Sequence, residues 1–191
     1  MKLSITNNSF NDNFSEREII NGCLKGNVKF QKILFETYSG KFMTVCLRYA
    51  TDQMQAEDML QDAFIRIFNH LEQYKSEGSF EGWMRRIVVN VALKAIQNKK
   101  ISYSTDEDAG GQIPDNSTDA PSHLSEGELL NLIKKLPPGY RIIFNLYAIE
   151  GYSHDEIGEM LNIKASTSRS QLVKARKMLQ QQIINLQKIA V

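Results

Sequence analysis

Apolar residues recur at spacings of three and four along most of the chain, which is the pattern of amphipathic α-helices. The clearest segment has its apolar side at Ala56, Met59, Leu60, Ala63, Phe64, Ile67, Phe68 and Leu71. A second has it at Phe80, Trp83, Met84, Ile87, Val88, Val91, Ala92, Ala95 and Ile96. Weaker patterns cover residues 16–49, with a break at Gly26 and Asn27. Strand-like alternation is absent from the sequence, so we predict an all-α protein.

A stretch with few apolar residues, 101–123, divides the helical pattern into two groups. It holds a Gly-Gly pair, two prolines and several acids, a composition typical of flexible linkers. Helical pattern resumes at about Leu124, stops at Pro137-Pro138-Gly139 and restarts with a helix over 140–149. We therefore predict two small helical domains joined by a flexible acidic linker. The predicted boundaries are a disordered start at 1–14, a first domain at 15–100 and a second at 124–187.

Residues 153–177 have the pattern of a helix-turn-helix. Ser153 and Glu156 have capping-box spacing before a short acidic helix, and Asn162 supplies the turn. The next helix is predicted to begin at Ser166, because Lys164 stands where a capping residue is expected, and no acid follows. Short donors backed by cations suit a recognition helix in the major groove. The candidate DNA-binding residues are Ser166, Thr167, Ser168, Arg169, Ser170, Gln171, Lys174, Arg176 and Lys177. The alternative is a solvated amphipathic helix in an ordinary bundle.

Charge is distributed in blocks, although the net charge is only +1. Residues 85–100 hold arginines and lysines without an acid, and residues 105–128 hold acids without a lysine or arginine. With the basic C-terminal segment, this gives two basic blocks separated by an acidic one. Such asymmetry indicates a nucleic-acid partner.

The two cysteines, Cys23 and Cys46, lie in apolar helical patterns, which indicates buried free thiols and a reducing compartment. No apolar run approaches the ~20 residues that span a bilayer, and the N-terminus lacks the apolar stretch of a signal peptide. We expect a cytoplasmic protein. The three histidines are scattered without ligand spacing, so no metal or other cofactor is expected.

Five blocks of sequence, in this order, resemble the extracytoplasmic-function (ECF) sigma factors, which initiate bacterial transcription. They are AEDMLQDAF at 56–64, FEGWMRRI at 80–87 followed by Asn90, LPP at 136–138, YSHDEIG at 152–158 and SQLVKAR at 170–176. The resemblance covers about residues 15–185. The chain departs from the family pattern at Ser166, where glycine is frequent, and at Val89 and Lys94, which are commonly arginine and an acid.

The resemblance implies that the first domain docks on core RNA polymerase and opens the −10 promoter element, while the second reads the −35 element. The implied partners are the β′ clamp coiled coil and β flap of the polymerase, promoter DNA, and an anti-sigma factor that is often membrane-anchored. The residues implied to face polymerase are Asp58, Gln61, Asp62, Phe64 and Arg66. Those implied to contact the −10 element are Tyr74, Lys75, Ser76, Ser79, Arg86, Asn90, Lys94, Gln97 and Lys100. No small-molecule substrate is implied.

Three apolar residues of the second amphipathic segment need a separate interpretation. Trp83 lies on the apolar stripe and is expected to pack in the core. Val89 and Leu93 fall on the outer face of the same helix. Because they adjoin the expected DNA-binding face, we expect the C-terminal domain or an inhibitor to cover them in the idle protein.

Two other classes of function stay open on the sequence alone. A helix-turn-helix regulator with a ligand-sensing or dimerising N-terminal domain would explain residues 137–180. It would leave the polar face with Asp58 and Asp62, and the basic helix 85–100, without a role. A helical enzyme is the third class, but the chain offers no nucleophile–base pair, phosphate loop or ligand cluster.

Overall fold

The computed structural model describes residues 14–97 and 125–189, and every regular element in these two ranges is helical. The chain divides between Lys99 and Lys100 into two compact units. The prediction of an all-α protein with two helical domains is confirmed. The expected linker at 101–123 and residues 1–13 of the expected disordered start lie outside the described residues. No described helix is both long and apolar enough to span a membrane.

The N-terminal unit is built from four α-helices. They are α1 (Glu16–Leu24), α2 (Val28–Tyr49), α3 (Gln53–His70) and α4 (Phe80–Gln97), with a 3₁₀ turn at Leu71–Gln73 after α3. Helices α2, α3 and α4 pack against one another, and α1 packs on α2. Their apolar stripes meet in a core that contains the fully buried Phe42 and the ring of Tyr38 stacked on it. The apolar faces that the spacing of three and four predicts therefore form one common hydrophobic core.

Local signals set where these helices begin. Ser15 caps α1 in a capping box with Glu18, and side chains of Asn27 and Asp52 cap α2 and α3. Gly26 supplies a left-handed turn, φ 71°, between α1 and α2, so the predicted break is confirmed. The ring of Phe14, a residue predicted to be disordered, lies edge-on against Phe30 at 5.1 Å and is therefore part of the unit.

The C-terminal unit contains α5 (Glu126–Lys134), α6 (Pro138–Phe144), a π-helical turn (Asn145–Ile149), α7 (His154–Leu161) and α8 (Ala165–Ile189). Helix α8 is its axis, and α5, α6 and α7 pack against it. The core between α5 and α8 is formed by Leu132, Ile133, Leu136, Ala175 and Leu179.

Helix α6 begins at Pro138, two residues before the predicted start. A proline suits the first helical position because the N–H it lacks would have no partner there. The sequence reading treated the prolines only as a stop. Helix α8 also begins earlier than predicted, at Ala165. The N–H of Ser168 already donates to the carbonyl of Lys164 at 3.1 Å, so Lys164 is the residue before the first turn, and the helix begins one residue before the predicted Ser166.

The turn between α7 and α8 is tight. Asn162 adopts the left-handed conformation, φ 53°, as its place in the sequence predicts. The N–H of Ile163 donates to the carbonyl of Gly158 at 3.0 Å, which folds the chain back on the end of α7. The predicted capping box of Ser153 with Glu156 is present at the other end of α7.

Candidate nucleic-acid and protein interfaces

The outer face of α3 is polar and fully available to a partner. Asp58, Gln61, Asp62 and Arg66 are all exposed there, at positions that follow the helical repeat. Among them lies Ile65, whose side chain is 54% exposed. Ile65 is not among the residues predicted to face polymerase, although its position outside the buried apolar stripe indicates a role at the surface. An apolar residue surrounded by charges has the composition of a protein-binding surface.

Phe64 does not belong to this face. It is 3% exposed, and its ring lies 4.7 Å from that of Phe35 and 6.1 Å from that of Phe42. The expectation that Phe64 faces polymerase is therefore wrong, because its position on the apolar stripe places it in the core. Phe35 itself is 40% exposed, so this ring contact lies at the edge of the core.

The loop between the 3₁₀ turn and α4, residues 74–79, is closed on itself. The hydroxyl of Tyr74 donates to the carbonyl of Gly78 at 3.0 Å. Ser76 and Gly78 both take left-handed backbone conformations, with φ of 61° and 89°. The hydroxyl of Ser79 accepts from the N–H of Gly82 at 3.1 Å and so caps α4. Lys75 and Ser76 are left exposed at the tip of a loop whose shape is fixed.

Aromatic rings form the base of this loop. The ring of Tyr74 lies 4.9 Å from Phe80 and 5.5 Å from Trp83, and Phe80 and Trp83 are stacked at 5.9 Å. Phe80 is buried, whereas Tyr74 and Trp83 remain partly exposed. Trp83 therefore packs as expected against the core residue Phe80 and also presents some surface beside Tyr74.

The exposed part of α4 is a single line formed by Arg86, Asn90 and Lys94, spaced four residues apart. Val89 and Leu93 do not share it, since they are 1% and 4% exposed. Their burial agrees with the expectation that they are covered, and that the C-terminal domain or an inhibitor covers them stays a prediction. Over residues 88–96 most of α4 is enclosed. The side chain of Gln97 and the whole of Lys100, both expected at the −10 element, lie outside the described residues.

The first turns of α8 present a basic and hydroxyl-rich face. Ser166, Arg169, Arg176 and Lys177 are exposed, and Thr167, Ser170 and Lys174 are partly exposed. Two predicted DNA contacts are not on this face, because Ser168 and Gln171 are 0% and 1% exposed. A side chain enclosed in this way does not reach a base edge, so these two expectations are wrong. Ser168 instead lies on the face of α8 that packs against α7.

The buried Ser168 has a specific partner. Its hydroxyl lies 2.9 Å from Nδ1 of His154, the first residue of α7. The imidazole is stacked on the ring of Tyr147 at 4.4 Å, and the guanidinium of Arg176 lies 5.9 Å from the centre of the same ring. Burial, followed by the positive charge of Arg169, lowers the pKa of His154. The sequence does not predict this contact of His154 with α8.

Comparison with known proteins identifies the family. Residues 34–101 match the model of sigma-70 region 2, and residues 126–179 match that of sigma-70, region 4. The chain is 30% identical over 165 residues to the ECF RNA polymerase sigma factor SigW of Bacillus subtilis, an alignment that covers 80% of this chain and 88% of SigW. The chain belongs to the ECF RNA polymerase sigma factors. This sigma factor is a transcription initiation factor and not an enzyme: it binds core RNA polymerase and directs it to specific promoters.

Other relatives give the same assignment. The sigma factor is 25% identical over 184 residues to the ECF RNA polymerase sigma-E factor of Haemophilus influenzae, covering 90% of this chain and 97% of that one. Among solved structures, CnrH in complex with the cytosolic domain of CnrY matches with a TM-score of 0.50 and 17% identity, over 89% of this chain and 97% of CnrH. At that identity the likeness concerns the fold alone.

Proposed function

We propose that the sigma factor divides initiation among three described surfaces. The outer face of α3 docks on the β′ clamp coiled coil of polymerase. Loop 74–79 and the exposed line of α4 hold the opened −10 strand, and the first turns of α8 read the −35 element. The observation that supports this division most directly is the separation of charge. On α3 the acids Asp58 and Asp62 are exposed beside the single cation Arg66, whereas the exposed charged residues in the described part of α4 and in α8 are all cations.

The α3 face suits a protein rather than DNA. Two exposed carboxylates would repel phosphates, so this surface is electrostatically unsuited to a nucleic acid. Ile65 offers apolar area at the centre, and Asp62 and Arg66 lie beside it on the helix surface with opposite charges. Interfaces gain most of their affinity from a few central contacts that are surrounded by polar residues. This arrangement supports docking on polymerase.

The loop and α4 suit a single strand. Opening a duplex costs ~1.4 kcal/mol per stacked step, so a protein that melts a promoter has to capture bases as they leave the stack. Stacking a base on an aromatic ring contributes ~1–3 kcal/mol, and Tyr74 is a partly exposed ring beside a closed loop. Arg86 and Lys94 supply cations for phosphates, and Asn90 lies between them in the exposed line.

The α8 surface suits duplex DNA, with Thr167 and Arg169 near the helix start, where recognition helices contact base edges.

We propose that these events take place in the cytoplasm, where core polymerase acts. Cys23 and Cys46 are free, buried thiols, which agrees with a reducing environment. Burial raises the pKa of Cys23 to about 11 and that of Cys46 to about 12, so both stay protonated. The β flap is the proposed second polymerase contact, made by the C-terminal unit.

We also propose control by an anti-sigma factor. The support is that CnrH, which shares the fold, was solved in complex with the cytosolic domain of CnrY. A cytosolic domain implies a remainder elsewhere in that partner, and on this ground we propose a membrane-anchored inhibitor here. The test is run-off transcription with purified holoenzyme, to which the host's solubilised membrane fraction is added. Inhibition that purified extra sigma factor titrates away supports the proposal, and unchanged transcription contradicts it.

The Tyr74→Ala, Lys94→Ala double variant is expected to bind promoters normally but to open them poorly. The reason is that single-strand capture acts only once bases have left the stack. Permanganate footprinting of the −10 thymines measures opening, and a mobility shift at low temperature measures closed-complex binding. Lys32→Ala, an exposed lysine on α2, is the matched control. Normal thymine reactivity in the double variant would remove Tyr74 and Lys94 from the −10 surface.

Arg169→Ala is expected to cost ~1–3 kcal/mol at particular base pairs of the −35 element, because an exposed arginine near the start of a recognition helix reads base edges. Lys177→Ala should weaken all sequences alike and lower the salt slope by ~1, because it contacts phosphate. Competition among single-base variants of the element, at several salt concentrations, separates the two. If both variants lose affinity uniformly, Arg169 is a phosphate contact instead.

A further inference from the structure

His154 connects three elements of the C-terminal unit. It begins α7, its Nδ1 lies 2.9 Å from the hydroxyl of Ser168 in α8, and its ring is stacked at 4.4 Å and 18° on Tyr147 of the π-helical turn. Stacking fixes the plane of the imidazole, and the hydrogen bond fixes its direction. The imidazole is half-buried and Ser168 is fully buried, so water does not readily replace this contact.

We propose that His154 is a positioning residue for promoter reading, which sets the rotation of α8 through Ser168 and takes up a proton when promoter DNA binds. The inference rests on the proposed role of α8 at the −35 element. Ser168 is flanked in the sequence by Thr167 and Arg169, whose side chains lie on the accessible side of the helix. An arginine side chain is long, so a small rotation of α8 moves its guanidinium further than base-edge hydrogen bonds tolerate.

The charges around the imidazole favour its neutral form in the free protein. Burial is the first cause of the lowered pKa of His154, and the cations Arg169 and Arg176 of α8 add to it, while Asp155 of α7 opposes them. The π-helical turn contributes Tyr147 to this environment. The positive end of the α7 dipole also disfavours a cation at the first helical residue. The ring is therefore neutral at neutral pH.

Binding of DNA reverses part of this balance. Base-edge acceptors that bind Arg169 and a phosphate that pairs with Arg176 offset the two cations, and the charge of the nearby phosphates favours a protonated imidazole. The pKa of His154 is then higher in the complex than in the free protein, so binding takes up a proton. By linkage, affinity rises as the pH falls through the pKa in the complex and levels off below the pKa in the free protein. The contact with Ser168 survives protonation, since Nδ1–H donates and the hydroxyl accepts.

The test uses full-length protein bound to core polymerase and a −35 duplex selected by the wild-type holoenzyme from a randomised pool. Affinity is measured between about pH 5.5 and about pH 8, the range in which histidine titrates. His154→Asn places an amide atom where Nδ1 stood and does not titrate, so we expect affinity within about twofold of wild type at neutral pH and a flat profile. His154→Gln moves the polar group one bond further out, and Ser168→Ala removes the partner. Each should weaken binding by about three- to tenfold.

Two controls separate this inference from simpler explanations. His70→Asn, at an exposed histidine of the N-terminal unit, should keep the wild-type pH profile. Arg169→Ala tests the underlying role of α8. Suppose that Arg169→Ala weakens binding, so that the −35 assignment stands. The inference about His154 is then wrong if His154→Asn and His154→Gln bind DNA equally, or if the pH dependence of binding persists in His154→Asn. If Arg169→Ala has no effect, the −35 assignment itself fails.

Discussion

Gly158→Ala is expected to destabilise the C-terminal unit by about 1–3 kcal/mol, the usual cost of an added methyl group in a tightly packed site, and to abolish binding of the −35 element. A Cβ at this position would lie 2.8 Å from the carbonyl oxygen of Ile163, closer than such contacts occur. That oxygen belongs to the backbone of the turn, and the N–H of Ile163 donates to Gly158 itself. The turn therefore has to open, and α8 moves relative to α7.

Hydrogen exchange of the full-length protein measures this effect, because the amides of α7 and α8 report their own opening. Gly127→Ala is the matched control. Gly127 also lies in a helix, α5, but its Cβ would meet nothing within 4 Å. Alanine there, in the first turn of α5, should be neutral or stabilise by up to about 1 kcal/mol, the difference in helix propensity between glycine and alanine. Equal protection of α7 and α8 in the two variants would show that the turn has room for a methyl group.

Much of this fold could be predicted because its signals are local. The capping box of Ser153 with Glu156 and the left-handed turn at Asn162 each depend on a few neighbouring residues, and both occur as predicted. The apolar stripe of α3 is similarly regular, and its members Ala56, Ala63 and Ile67 are fully buried. Where side-chain chemistry and helical period agree, the sequence determines the element and its inner face.

The wrong predictions concern which side of a helix is buried, because contacts with other helices determine this. Ser168 and Gln171 have the chemistry of base-reading residues, but α8 turns them inward, and period alone does not reveal which side of a polar helix its neighbours cover. Helical period also places Val89 and Leu93 opposite the apolar stripe of α4, and only the structure shows that both are buried. Phe64 was an error of another kind. Its place on the apolar stripe already predicted burial, and the family resemblance was given priority.

The Asp58→Lys, Asp62→Lys double variant is expected to lose about 100-fold in affinity for core polymerase, measured by fluorescence polarisation without DNA. Both carboxylates are exposed on the face that carries Ile65, and like charges set against each other in an interface cost several kcal/mol. Neither side chain supports the core, so the helical content and the pH profile of −35 binding should stay unchanged. Ile65→Ala should weaken the same interaction by removing its apolar centre.

Glu16→Lys is the control for this variant, since it makes the same kind of charge reversal, at one site instead of two, at an exposed position on α1. It should bind polymerase as the wild type does. Equal affinities for the Glu16 variant and the double variant would exclude α3 as the docking face. The experiment also bears on the alternative of a helix-turn-helix regulator, whose N-terminal domain would not need polymerase. The wild type should retain core polymerase without DNA and should lose it only when α3 is altered. That result would give the polar face of α3 a role in polymerase binding, which a helix-turn-helix regulator does not explain.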